Sequence, residues 1–438
     1  MARLVMLGTV ALAIAGTPAA AQSLAPSSAQ NLPPAQPNAG PNQTVPENIG
    51  VADRIRPEYY PIGGRIGSFF LFPSLTTSVI ATDNVRATRD DRLSDVFALV
   101  QGRARLQSNF SRHALATEVF VDQSVHARVP SEDVTQYGTM LSGRYDISRD
   151  TKVSAQFDAD HRAEDRTSYN SPIGARSPLR YDRLRGTLTG EQSLGRIDVT
   201  ANFAAARLRY DDVTLLTGEF ASQAFRNVDS VSAGVTIAYE FRPGVSALVR
   251  GTAQRNAYPD DGPTATQPLA LIRDSRGARV EGGFRFELTS LLYGELRAGY
   301  LSQRYSDPRL SSANGLSFGG DLLWNVTPLT SIRVTADRRV DEAAQVNVAG
   351  NQVTELTTSV DHELLRNLIL SGYLRYSDLQ PIGPIAGSHE LGGRLGARYL
   401  VNRRLSLRAT LSHQLRTSPV QGFGFTENRG LLSAQLTF

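Results

Sequence analysis

From residue 67 onward, apolar and polar side chains alternate in one segment after another, with little helical spacing. Val231, Ala233, Val235, Ile237, Tyr239 and Phe241 share one parity, while Ser232, Gly234, Thr236 and Glu240 take the other. After Pro243-Gly244 the apolar parity resumes at Val245, Ala247, Val249 and Gly251, opposed by Arg250, Thr252 and Gln254. The scheme returns over 278–288, 316–326 and 391–401, the last with Glu390, Arg394 and Arg398 opposite Leu391, Leu395 and Tyr399. A period of 2 marks a strand whose two faces meet different surroundings. Charges interleaved this regularly do not suit a dry sandwich core; they suit an apolar outside and a wet inside.

The connections divide into two kinds. Ser108-Asn109-Phe110, Ser148-Arg149-Asp150, Pro243-Gly244, Arg366-Asn367 and Asn402-Arg403 read as tight turns. Long polar loops fall near 167–177, 212–226, 259–273, 306–313, 343–350, 381–388 and 418–426. Outer-membrane barrels put short turns in the periplasm and long loops outside, and they use an even strand number; the segments here count to about 18. The pattern thus predicts an all-β, transmembrane, antiparallel up-and-down β-barrel over 67–438. Tyr145, Tyr239, Phe241, Phe284, Phe286 and Trp324 are expected in a periplasmic aromatic belt, and Tyr137, Tyr210, Tyr300 and Tyr376 in an outer one.

The ends fit export. Arg3, the apolar run 4–15 and Ala19-Ala20-Ala21 predict a signal peptide over 1–21. The run is shorter than the roughly 20 residues a spanning helix needs. Residues 22–50, rich in Pro, Gln, Asn and Ser, predict a disordered periplasmic linker. Residues 51–66 then lead into the barrel, and Tyr59, Tyr60 and Pro61 are a candidate plug for its mouth. The last strand alternates Leu432, Ala434, Leu436 and Phe438 with Ser433, Gln435 and Thr437, and the chain stops on the aromatic. Leu436 and Phe438 are the candidate assembly signal.

Composition narrows the chemistry. The mean hydropathy is −0.24, and no cysteine is present, which removes disulfides, thiolate metal sites and cysteine nucleophiles. A net charge of +4 on an exported chain gives no reason to expect nucleic acid. None of the six histidines stands in a paired metal-binding spacing, so no metal or cofactor is expected. Ser412-His413 and Asp361-His362 are sequence neighbours, and neighbours on a strand point to opposite faces; His161 likewise points away from Asp158 and Asp160. The chain is therefore not expected to be an enzyme. Asp90-Asp91, Asp211-Asp212 and Asp260-Asp261 read as solvated loop acids. The surface with functional content is the lumen. Arg103, Arg105, Arg183, Arg185, Arg250, Arg285, Glu287, Glu295, Arg297, Arg333, Arg394 and Arg408 carry the inward parity. A barrel of that size leaves an aqueous channel.

A family resemblance sharpens the expectation. Arg54-Ile55-Arg56-Pro57-Glu58-Tyr59-Tyr60-Pro61-Ile62-Gly63, then Gly67-Ser68-Phe69-Phe70-Leu71-Phe72-Pro73-Ser74-Leu75, resembles the opening of the putative beta-barrel porin type 2 family. Asp83-Asn84-Val85, Ser94-Asp95-Val96, the stretch 108–115 and Tyr145-Asp146-Ile147-Ser148-Arg149 fit as well. Tyr60-Pro61-Ile62-Gly63 stands where the family more often has Asp-Pro-Leu-Gly. The resemblance is strong over 54–150 and architectural beyond. It implies an outer-membrane channel associated with exopolysaccharide export. The expected surroundings are outer-membrane lipid and lipopolysaccharide, the barrel-assembly machinery and polysaccharide-export components. A small-solute porin and a non-transporting envelope scaffold are the alternatives.

Overall fold

The computed structural model describes residues 49–262, 271–341, 343, 345 and 348–438; the expected leader and nearly all of the linker lie outside these. A three-residue strand, β1 (Gly64–Ile66), precedes the wall. The wall begins with β2 (Phe69–Thr82), β3 (Asp95–Ser108), β4 (Ala114–His126) and β5 (Thr135–Asp146). It continues through β6 (Thr151–Ala163), β7 (Arg180–Leu194) and β8 (Ile197–Tyr210). The next loop holds its own two-residue pair, β9 (Val213–Thr214) with β10 (Phe220–Ala221). Then come β11 (Val228–Arg242), β12 (Val245–Ala257), β13 (Ser275–Leu288), β14 (Leu292–Tyr305) and β15 (Ala313–Thr327). The last six are β16 (Thr330–Asp341), β17 (Asn351–Leu365), β18 (Leu368–Pro381), β19 (Ser388–Leu400), β20 (Leu405–Thr417) and β21 (Phe425–Thr437).

Nineteen strands share one sheet; setting aside the β1 flap leaves the eighteen of the wall, the number the alternation predicts. Each wall strand pairs antiparallel with the next, and β8 pairs with β11. The sheet closes where β2 meets β21, with Leu75 opposite Leu436 and Val79 opposite Leu432. Closure satisfies every ladder within the wall, which a hydrocarbon environment demands. The last strand ends short of the bottom of β2: Thr437 lies opposite Ser74, and Phe438 donates its N–H to the Pro73 carbonyl at 3.1 Å. Below that point β1 takes over, pairing Gly64 with Leu71 and Ile66 with Phe69.

The molecule is inside-out. Leu395, Leu411 and Leu432 are 67–68% exposed on the outer face, whereas Glu281 and Ser317 are 1% and 0% exposed on the inner one. Dozens of large apolar side chains facing outward from one surface need a lipid solvent. Among the described residues no helix is long and apolar enough to cross a membrane.

The turn at Pro243-Gly244 shows how local chemistry fixes a connection. Gly244 has φ +76°, and a Cβ there would sit 2.9 Å from the Glu287 carbonyl oxygen. Only glycine combines that backbone with that approach. Short connections also occur at 195–196, 289–291 and 328–329, and long ones at 83–94 and 127–134, which the pattern alone did not single out. One expected belt residue is corrected. Tyr210 turns inward, 5.4 Å from Tyr181 and beneath the Arg226 guanidinium at 4.2 Å. Together with Leu208, Val228 and Tyr258 it packs an apolar cluster just inside the outer rim.

Candidate functional site

The strand parity delivers all twelve sequence-named lumen residues to the inner face, because their neighbours Val96, Leu184, Val249, Val280, Leu296, Leu395 and Leu411 face out. A cavity of about 2120 Å³ opens along this face. Its lining runs from the short turns at Asp150, Gly195 and Gly244 up to Gln303 and Asp341, and includes Arg105, Arg250, Arg285, Glu287, Glu295, Arg297 and Arg333.

The charges are organised unevenly around the wall. On β12–β16 they neutralise one another. Glu295 accepts from Arg250 at 3.0 Å, Arg285 at 2.9 Å and Arg297 at 3.1 Å. Arg297 also reaches Glu281 at 3.1 Å, and Arg333 donates to Asp321 at 2.8 Å. Losing Glu295 would leave the largely buried Arg250 without its ion pair, while Arg297 keeps Glu281 and Arg285 is half-exposed; breaking a buried pair is a class of change that costs about 3–5 kcal/mol. On β3–β7 the pairing is looser. Arg103 reaches Asp122 at 3.1 Å, Arg105 reaches Glu118 at 4.0 Å, Arg183 reaches Asp160 at 2.7 Å, and Arg185 lies opposite Asp158.

The wall of β18–β20 differs in kind. Arg398 and Arg408 are direct cross-strand partners with the same inward orientation. Like charges so placed destabilise a sheet by fractions of a kcal/mol up to about 1. Arg394 follows two positions higher, 5.6 Å over the Tyr373 ring, with Gly396 between the two arginines of β19. Among the described residues no carboxylate pairs with Arg408, and the charges that act on it are those of Arg398 and Arg394.

Both mouths carry inserted chain. At the end with short turns, Gly50 to Arg56 lies inside the wall. Val51 is fully buried and donates its N–H to Ser331 Oγ at 2.8 Å. Arg56 pairs with Glu363 at 2.6 Å, Arg54 donates to the Pro328 carbonyl, and Arg398 donates to the Ala52 carbonyl at 2.9 Å. The chain then crosses toward β3, where burial raises the Tyr60 phenol against the opposing charge of Arg105. Tyr59, Tyr60 and Pro61 are only half-buried. The deep anchors, Val51 on the Ser331 hydroxyl and Arg56 on the Glu363 carboxylate, lie upstream of the residues proposed from sequence.

At the other mouth, the loop joining β6 to β7 crosses to the far wall. Tyr169, 2% exposed, packs with Val353, Leu379 and Phe423 and donates to Asp341 Oδ2 at 2.9 Å. Burial pushes its phenol well above the usual range, and the Asp341 carboxylate acts in the same sense. Arg416 on β20 holds the loop by donating to the Thr167 carbonyl at 2.5 Å and the Ser168 carbonyl at 3.4 Å. Its guanidinium lies 4.7 Å from the Phe423 ring and 4.9 Å from the Phe425 ring, and it pairs with Glu390 at 2.7 Å. Other loops lock onto this one. Arg226 binds Glu164 at 3.1 Å, and Glu132 takes both Arg86 at 3.2 Å and Arg166 at 2.8 Å. The loop aspartates are staples as well: Asp212 accepts from Ser222, Asp260 from Asn227, and Asp261 from Arg273.

Each histidine considered as a catalytic partner is engaged elsewhere. His161 contacts Asp182 at 2.8 Å, His362 contacts Thr330 at 2.9 Å, and His413 contacts Asn428 at 2.8 Å. Among the described residues no three His, Asp or Glu side chains gather into a metal cage. Leu436 and Phe438 lie on the outer face, 40% and 61% exposed. Arg416, Glu390, Tyr169, Val51 and Arg56 were missed as a group. Strand parity puts Arg416 and Glu390 inside, but nothing in the sequence pairs them with a loop some 250 positions away.

The family model described as Putative beta-barrel porin 2 matches residues 56–438. No curated protein matches. Among solved structures, OccK2 (OpdF) of Pseudomonas aeruginosa in complex with glucuronate is 12% identical, covering 84% of this chain and 98% of its own, with a TM-score of 0.45. OpdL of Pseudomonas aeruginosa is 14% identical over 85% and 99% of the two chains, with a TM-score of 0.43. OccAB2 of Acinetobacter baumannii is 9% identical over 84% and 98%, with a TM-score of 0.45.

Proposed function

We propose, since the chain belongs to the Putative beta-barrel porin 2 family, that its outer-membrane barrel is a passive conduit for hydrophilic cargo, with exopolysaccharide export the specific assignment. The observation that carries the reading is the wet, charge-lined cavity of about 2120 Å³, which begins at the turns of the periplasmic end. An 18-stranded wall is wide enough to leave such a channel unfilled. On this reading a Sec leader delivers the chain, the barrel-assembly machinery reads Leu436 and Phe438, and polysaccharide-export components feed the periplasmic mouth. The outward leucines and the loop rim meet lipid and lipopolysaccharide.

One observation favours a small-solute porin instead. The β6–β7 loop pinned by Arg416 and Tyr169 narrows the outer mouth, and an inserted loop suits sieving of small molecules. Two measurements separate the readings. Stepwise currents in planar bilayers are expected for either channel, and their absence would leave an envelope scaffold. A deletion strain that loses surface polymer but keeps its small-sugar permeability supports export; the reverse result supports the porin.

A further inference from the structure

The pairing of Arg398 with Arg408 has no structural rationale within the wall. Cross-strand positions in a barrel are where opposite charges stabilise and like charges repel. Elsewhere in this lumen inward cations meet carboxylates, with five ion pairs on Glu295 and Glu281 together. At the turnward end of β19–β20 the arrangement is the opposite. Arg398 and Arg408 oppose each other, Arg394 stands on the same face, and Thr410 and Ser412 supply hydroxyls between and beside them. Gly396, on the inward parity between Arg394 and Arg398, leaves a dent: a Cβ there would come no closer than 3.7 Å to any atom. Arg408 forms no ion pair or hydrogen bond among the described residues, although its neighbour Arg398 is tied to the Ala52 carbonyl. The acids that act on Arg398 are Asp53, in the inserted segment, and Asp361, which the register sets level with Gly396. Asp361 itself accepts from Ser371 at 2.5 Å. A half-buried guanidinium fork, held against another of the same sign, lacks an oxyanion to complete it.

We propose that Arg394, Arg398 and Arg408 form a carboxylate-binding station for acidic sugar residues, placed just inside the periplasmic mouth and beside the inserted Gly50–Arg56 segment. The proposal rests on the channel reading for its physiological role, but the binding site itself does not require transport. A carboxylate takes two parallel N–H donors from Arg408, relieves its repulsion with Arg398, and leaves the sugar hydroxyls to Thr410, Ser412 and the Tyr373 ring. Cargo entering from the periplasm meets this wall before the neutralised network of β12–β16.

The test uses the full-length protein folded in detergent and then in planar bilayers, with trigalacturonate, galacturonate and maltotriose as probes. Trigalacturonate is expected to raise the thermal unfolding midpoint of the wild type, as any ligand of the native state does. It should leave that of Arg408→Gln unmoved, and maltotriose should move neither. Without ligand, Arg408→Gln is expected to melt higher than the wild type, because a like-charge contact has gone; a purely structural arginine would give a lower midpoint. In bilayers, trigalacturonate is expected to cause transient current blocks whose lifetimes fall about tenfold or more in Arg408→Gln, a change of roughly 1.4 kcal/mol or more. Stabilisation by galacturonate as well assigns the station to single acidic sugars, and stabilisation by the trimer alone assigns it to polymer. Equal effects of maltotriose and trigalacturonate, or a variant that responds like the wild type, would overturn the proposal. Ligand stabilisation without any stepwise current would leave the station standing and remove the channel reading.

Discussion

Arg416→Ala is expected to free the β6–β7 loop from the outer mouth without unfolding the barrel. In the native state Arg416 is 4% exposed, and its fork donates to the Thr167 and Ser168 carbonyls while its Nε holds Glu390. The Ser168 contact is long, so one charge-assisted hydrogen bond carries most of the share of the pinning that Arg416 supplies, worth about 1.5–3 kcal/mol. Truncation removes that bond from the inserted state alone, because a loop lifted into water finds other partners for its carbonyls. A loss of about 1.5–3 kcal/mol multiplies the open-to-inserted ratio by roughly 10–150. The acid is not orphaned, since Glu390 keeps Arg375 at 3.3 Å. The readout is single-channel recording: the fraction of time in the largest conductance state should rise by that order. The gel mobility of the unheated, folded barrel should stay that of the wild type. Arg416→Lys keeps the charge but loses the fork, and should fall between the two. A folded Arg416→Ala barrel with wild-type dwell times would refute the view that this residue latches the loop.

Three further outcomes follow from the same geometry. The Tyr169 phenol is raised by burial, so it stays protonated in the folded state where the unfolded chain would ionise; its contribution is whole below about pH 10 and declines as pH climbs through and past that value. Loop opening should therefore increase under alkali in the wild type and do so less in Tyr169→Phe, read as conductance against pH. Leu411→Arg puts a cation on the lipid face at a site 68% exposed, and should cost about 2–4 kcal/mol if it lies at midplane depth, measured by urea titration of folding into liposomes. Deleting residues 49–58 removes the insert held by Val51 and Arg56, and should raise unitary conductance; an unchanged value would show that the segment does not narrow the mouth.

The wall was legible because a two-faced strand writes its environment into every second residue. The same parity that exposed Leu395 put Arg394 and Arg398 inside, so the lumen could be named before any register was known. Turns were legible where chemistry forces them, as at Pro243-Gly244; Gly195-Arg196 and Pro328-Leu329 are not singled out by the pattern, although 316–326 beside the second alternates clearly. What stayed hidden depends on distance along the chain. Tyr169 meets Asp341 across 172 positions and Arg56 meets Glu363 across 307, and no local period encodes either meeting. Tyr210 was assigned to a belt from its height alone; its inward parity, visible against Phe203 facing out, was the signal that would have corrected it.

The β1 flap has a consequence for the cell. Strand β21 is too short to cover Phe69–Leu71, and a bare strand margin in water invites a neighbour's backbone. By folding Gly64–Ile66 over that margin, the protein blunts the place where a second copy could stitch on. A version starting after Gly67 should close its cylinder and yet be prone to clump through the uncovered seam.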